Sequence, residues 1–322
     1  MNKLNHLLKN RIIPFILGGI VFTTAIALAD TINSNEVLYD NSNSGAGSTD
    51  VQGVLDTLFT TVNHSGTGYS LLTHNPVGIS STLQGGLYRY QGTSVDNYIC
   101  FGTTDKNTCT ADTDKYMYRI IGIKDNGQLK LIKKEALNNS IQWSTASNVY
   151  LTWPNSNIYS AINGGSFLTN TSYVPNGWEQ RISTESWKYG DIGDTPMNST
   201  VSVLYAAENA LLDNVDAKIG LIRPSDYFFG MPGDNACRKA NKSYCYSGWI
   251  TIEKNDSNPI SSSESTMIRP HSSGVWGLRY DSFSPNGMTV EFSIRPVFYL
   301  SIGEVIASGS GTITDPYILG ES

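Results

Sequence analysis

Charged side chains are scarce in this chain. Asp, Glu, Lys and Arg make up 16% of its 322 residues, and 22 basic residues face 28 acidic ones, for a formal net charge of −6. A nucleic-acid partner needs a basic face, so none is expected. Adhesion to anionic lipid is disfavoured on the same ground. No Gly-rich phosphate loop, Gly-x-Ser-x-Gly or His-Glu-x-x-His occurs, which leaves the chemistries they carry without support. Asp191, Asp194 and Asn198, and separately Asp234 with Asn235, offer oxygens but not at the spacing of a calcium loop. No metal, cofactor or catalytic residue is assigned. Carboxylates that pair only in space escape such a search.

One long apolar run is present, and it is N-terminal. Lys3, Lys9 and Arg11 precede an uncharged stretch from Ile12 to Ala29, which ends in Ala27-Leu28-Ala29 just before Asp30. A basic start, an apolar centre and a small-x-small end spell a signal peptide over residues 1–29. The rival is an uncleaved N-terminal anchor, since the stretch just reaches spanning length; Pro14, Thr23 and Thr24 weaken that helix. In both cases the rest of the chain is expected to be secreted or to lie on the extracellular face of the cell membrane, touching lipid only through residues 12–29. Removing 1–29 leaves 19 basic against 28 acidic residues.

Four cysteines fall into two local pairs, Cys100 with Cys109 and Cys237 with Cys245. In an exported chain they predict two short-loop disulfides, each stabilising by about 2–3 kcal/mol at most. Zinc would want closer cysteines with histidine partners, and His64, His74 and His271 lie near none of them.

Four segments follow from the pattern. After residues 1–29, residues 30–64 form a stalk with an amphipathic helix. Thr49 and Gln52 make a capping box. Val51, Val54, Leu55, Leu58, Phe59 and Val62 make one apolar stripe. So short a helix must bury its stripe, against the main domain or in a homo-oligomer through residues 50–62. Residues 65–85 are a polar, Gly-rich linker. Residues 86–322 are a head domain. Its clearest feature is a hairpin, Tyr116–Ile123 and Gln128–Lys134 around Asp125-Asn126-Gly127. Further strands are expected at 86–91, 97–101, 218–222, 248–252, 265–269, 274–280, 288–294 and 297–300. Short helices are expected at 157–163, capped by Ser156, and at 177–184; residues 201–213 fit either state. Arg223-Pro224-Ser225-Asp226 ends a strand and caps a turn. The class is α+β, a twisted antiparallel sheet with a few short helices.

The wording carries resemblances as well. Val37 to Asp56 resembles a segment of phage tail-fibre and bacterial surface proteins, which implies a stalk beside a binding head. Tyr116-Met117-Tyr118-Arg119-Ile120-Ile121-Gly122-Ile123, then Lys218-Ile219-Gly220-Leu221-Ile222-Arg223-Pro224-Ser225-Asp226-Tyr227, then Ile294-Arg295-Pro296-Val297-Phe298-Tyr299-Leu300 and Gly309-Ser310-Gly311-Thr312 with Asp315-Pro316-Tyr317 resemble a family of exported proteins of Gram-positive gut bacteria. That family carries a domain of unknown function, the 6273 type. Its layout is similar to C-type-lectin-like folds, including the formylglycine-generating-enzyme branch. A calcium-dependent lectin should show Glu-Pro-Asn or Gln-Pro-Asp, then Trp-Asn-Asp. Here Trp153-Pro154-Asn155, Val174-Pro175-Asn176 and Ser284-Pro285-Asn286 lack the acid. The branch's reactive cysteine pair should stand near the end of its core, and Cys237 with Cys245 precedes the last strands.

The expected function is a non-enzymatic binding module for a glycan or a surface protein. The alternatives are a structural envelope appendage and an extracellular hydrolase. Trp143, Trp153, Trp178, Trp187, Trp249 and Trp276 either stack on sugar rings or fill the core. The ligand site is expected at Trp249, Trp276, Arg279 and Tyr280, among late-strand loops. Arg269-Pro270-His271 and Arg295-Pro296 are expected to tie loop carbonyls and strand edges.

Overall fold

The computed structural model describes residues 71, 77–80, 82–146, 151–193, 199–231, 248–250, 264–269, 274–278 and 283–320. The expected export segment at 1–29, the expected stripe at 50–62, Cys237, Cys245, Arg279 and Tyr280 lie outside them. The described chain is α+β, with mostly antiparallel sheets and a few short helices.

A five-stranded sheet organises the domain. β1 (Leu87–Arg89) and β2 (Tyr98–Cys100) lie end to end along one edge of β3 (Met117–Lys124), which pairs with β4 (Leu129–Lys133), which pairs with β5 (Val297–Tyr299). All four pairings are antiparallel. The β3–β4 hairpin forms as the sequence predicts. Gly127 takes φ +81°, which a residue with a side chain rarely adopts, and Asn126 Oδ1 accepts from Gln128 N at 3.1 Å.

Almost every residue of β3 and β4 is buried, so the sheet is covered on both faces. On one face Phe101, Tyr118 and Phe298 meet edge-on or tilted at centroid distances of 4.8–5.5 Å. Such pairs each add about 0.5–1.5 kcal/mol beyond their buried area. Phe298 and Tyr299 are adjacent on one strand, so Tyr299 points to the opposite face. That second face carries the polar residues discussed below.

Among the described residues the helices are α1 (Lys106–Ala111), α2 (Thr113–Tyr116), α3 (Asn157–Ile162), α4 (Val201–Ala210) and α5 (Pro224–Phe229). Cys100 of β2 and Cys109 of α1 form a disulfide. Ser156 caps α3 by accepting from Tyr159 N at 3.1 Å. The ambiguous 201–213 segment resolves as α4 because Val201, Leu204 and Glu208 share a buried stripe. The helix expected at 177–184 is a short 3-10 turn, Trp178–Arg181.

Of the expected strands, residues 248–250 form a bend and turn, and 288–294 keeps only Glu291–Phe292. Two further differences have local reasons. At 218–222 only a bridge forms, Gly220 to Val297. The Asn163 side chain takes the N–H and the C=O of Ile219, at 3.1 and 3.0 Å, which removes the neighbouring ladder partners. The strand sits just upstream, at Asn214–Ala217, paired with Glu185–Lys188. Conversely, Phe283–Gly287 is a strand although it contains Pro285. It forms the edge of a three-stranded sheet beside Gly274–Leu278, where a missing N–H is tolerated.

Candidate functional site

The register of the central sheet builds a cleft. Arg89 pairs with Gly122, Gly122 with Lys130, and Lys130 with Tyr299. These four residues form one row across four strands and face the same side. A bulge sets the row. The β3–β4 ladder steps from Ile120↔Leu131 to Gly122↔Lys130, leaving Ile121 as the extra residue. Gly122 therefore stands between two cations whose Cα atoms lie about 10 Å apart, two strand spacings. A Cβ at Gly122 would sit 2.6 Å from Tyr88 O.

Asp226 takes both cations. Arg89 Nη1 donates to its Oδ1 at 2.7 Å, and Lys130 Nζ to its Oδ2 at 2.6 Å. All three side chains are nearly fully buried. Local sequence places Asp226: Pro224 opens α5, and Asp226 in its first turn accepts from Arg223 N at 3.3 Å. Arg89 also donates to Gln84 O at 2.5 Å and Gly85 O at 3.2 Å, and it lies over the Phe229 ring.

The cleft itself holds about 270 Å³ and is lined by Arg89, Lys124, Lys130, Arg223, Glu185 and Asp226 among its charged groups, with Tyr205, Trp187 and Tyr299 supplying aromatic surface. Lys124 pairs with Glu185 at 2.7 Å and lies over Tyr299 at 4.1 Å. Glu185 also receives Gln128 and Ser183. Trp187 is the floor, held by its N–H to Ala217 O at 2.9 Å. Arg223 differs from the other cations. Among the described residues its side chain makes one hydrogen bond, to Asn209 Oδ1 at 3.3 Å, and no ion pair.

Electrostatics follow from that count. Burial alone would raise the Asp226 carboxyl, but Lys130 and Arg89 outweigh it and hold it below the ordinary carboxylate range. Burial lowers Lys130; Asp226 opposes this, while Arg223 and Arg89 add to it. Behind the cleft, Glu208 of α4 is fully buried. It accepts from Ser225 N at 2.9 Å and Ser225 Oγ at 2.5 Å. Burial pushes its carboxyl up to about 7, against the opposing pull of Arg223 and the Ser225 hydroxyl.

Of the residues expected to bind ligand, Trp249 and Trp276 are described, and they sit elsewhere. Trp249 is buried, donates from its indole N–H to Tyr90 O at 2.8 Å, and stacks under Arg119, whose Nη1 donates to Trp249 O at 2.8 Å. Trp276 is buried in its strand. Neither lines this cleft. Trp143 and Trp153 are buried against each other, and Trp178 packs on Phe101 and Arg181. Arg295 does tie a loop carbonyl, Ile250 O at 2.8 Å, and pairs with buried Glu264 at 2.8–3.0 Å. Asp191 is exposed, and its carboxylate accepts from Gly193 N. No metal-sized group of three His, Cys, Asp or Glu side chains occurs among the described residues, and no helix among them is long and apolar enough to cross a membrane.

Sequence reading missed Arg89, Lys130 and Arg223 as a group. The signal was a lone cation inside each of two apolar strands, Leu87-Tyr88-Arg89-Tyr90 and Leu129-Lys130-Leu131-Ile132. Comparison of the chain with protein-family models, with curated proteins and with solved structures finds no match in any of the three.

Proposed function

We propose that this chain is an exported binding module, secreted or held at the extracellular face of the membrane, whose C-type-lectin-like head takes a glycan or a surface protein. The observation that carries this reading is the cleft on the polar face of the central sheet. Its polar groups are fixed in advance by Asp226, Arg89 and Lys130, and Trp187, Tyr205 and Tyr299 give it aromatic surface. Its volume of about 270 Å³ falls just below the range of about 300–1,000 Å³ for ligand sites, so it suits one sugar ring or one side chain rather than a long polymer. Asp226 and Glu185 are each occupied by cations, which suits holding a ligand more than passing protons to it. A glycan array probed with the full chain tests this. Specific binding that Tyr299→Ala weakens supports it; a blank array together with no captured surface protein rejects it and leaves a structural appendage.

One observation favours a second reading, an extracellular hydrolase. Ser225 lines the cleft, and its hydroxyl donates to Glu208, whose carboxyl is pushed up to about 7. A serine with a basic partner is a nucleophile arrangement. The same pair also serves as a bidentate tie between α4 and the start of α5, since Ser225 N donates to Glu208 too. Release of product from an extracellular polymer by the wild type, and not by Ser225→Ala, would carry the hydrolase. Binding without turnover carries the module.

A further inference from the structure

The cleft has the opposite sign to the chain. Four cations line it against two carboxylates, Glu185 and Asp226, while the whole chain is formally −6. Pairing inside the cleft does not balance this surplus. Lys124 is matched by Glu185. Arg89 and Lys130 share Asp226, whose two oxygens are both used. Arg223 is half-buried at the wall, and among the described residues its side chain hydrogen-bonds only the amide oxygen of Asn209, at 3.3 Å. Glu208, which Arg223 also acts on, gives both its oxygens to Ser225. Lys130 Nζ makes one hydrogen bond, to Asp226, and its remaining donors face the Trp187 and Tyr299 rings at 5.7 and 5.3 Å.

An arginine with spare planar donors at the wall of a concave, partly dry site is suited to a carboxylate, which it can hold through two parallel bonds. The neighbouring groups suit a sugar ring. Tyr205 and Tyr299 are half-buried and line the cleft, the Tyr299 ring lying under Lys124 Nζ at 4.1 Å, and Asn209 and Ser186 offer neutral hydrogen bonds. The volume admits one ring.

We infer that the cleft receives an acidic sugar, one ring in size, with its carboxylate on Arg223 and its ring against Tyr299 and Tyr205. This rests on the reading of the head as a binding module, and it names the ligand class. Local positive charge is what admits such a ligand to a chain that otherwise repels it.

Titration calorimetry on the full chain tests it with four probes: methyl glucuronide, N-acetylneuraminic acid, methyl glucoside, and an acetylated peptide with a free C-terminal carboxylate. The two acids separate a uronate from a nonulosonic acid. At least one should bind tenfold or more tighter than the neutral glucoside. Raising salt from 0.1 to 1 M shortens the Debye length from about 10 to about 3 Å and should weaken the acid severalfold while leaving the glucoside unchanged; this reading needs no variant. Arg223→Gln should abolish the preference for acid, and Arg223→Lys should keep part of it, with the melting temperature recorded for each. Equal binding of glucoside and glucuronide would overturn the inference and leave the module standing. Binding of the peptide without the sugars would overturn it in favour of a protein ligand. Silence of all four probes overturns it, and a blank glycan array together with no captured surface protein would then also remove the module reading.

Discussion

Asp226 and Glu264 are both buried carboxylates held by arginine, and they differ in how many cations each one serves. Glu264 faces Arg295 alone, through two parallel bonds at 3.0 and 2.8 Å. Burial raises its carboxyl, and Arg295 only partly offsets this. Asp226 faces Arg89 and Lys130, with Arg223 close enough to act on Lys130, and its carboxyl is driven down. The first arrangement is balanced and joins loops and strands of the late part of the chain. The second carries surplus charge and opens on a cleft. A balanced pair closes structure; an unbalanced cluster leaves something for a ligand to complete.

The largest expected effect comes from breaking the unbalanced cluster. Asp226→Ala strands two buried cations and removes an acid from the first turn of α5. It should cost about 3–5 kcal/mol, read by denaturant unfolding. A loss below about 1 kcal/mol would mean that solvent reaches Arg89 and Lys130, and the contrast with Glu264 would fail.

Next comes pH. The Glu208 carboxyl is raised from 4.5 to about 7 in the fold. Below pH 4.5 folded and unfolded chains both hold the proton, and its contribution is fully present. As pH rises the unfolded chain ionises first, so stability falls between about 4.5 and 7 and then levels off. The full fall is on the order of 3 kcal/mol. Glu264 contributes a slope of the same sign, so the decisive quantity is the difference between wild type and Glu208→Gln. Arg223, Ser225 and Asp226 are the groups that act on Glu208. If the variant keeps the wild-type pH slope, Glu208 is ionised throughout.

How far was this visible in the sequence? The hairpin around Asp125-Asn126-Gly127 and the Ser156 cap were legible because each is written within a few adjacent residues. The cleft was not. Arg89 and Asp226 are 137 positions apart, and Lys130 and Asp226 are 96 apart, so no local pattern joins them. The strand expected at 218–222 failed because a side chain 56 positions away, Asn163, takes its hydrogen bonds. Composition did not point to it either. Only 16% of the residues are charged, yet the fold gathers six of them into one cleft. Glu208 was half legible, as an acid on the stripe of Val201 and Leu204.

Smaller effects sharpen the comparison. Glu264→Gln keeps an acceptor for Arg295 and should cost about 1.5–3 kcal/mol, without changing any cleft ligand's affinity. A change in that affinity would show that the two clusters are coupled. Gly122→Ala puts a methyl against Tyr88 O and should cost about 1–3 kcal/mol. A neutral result in thermal unfolding would show that β1 can shift aside.

The bulge in β3 has a hereditary consequence. Loss of the Gly122 codon alone would restore an unbroken ladder and leave Ile123↔Leu129 and Ile120↔Leu131 as they are. It would also bring Ile121 opposite Lys130 and set a branched side chain where the cations converge. A lineage could thus discard the cleft in one in-frame step while keeping the sheet. A descendant with an intact Arg-Pro-Ser-Asp motif but a β3 one residue shorter should be counted as having lost the site.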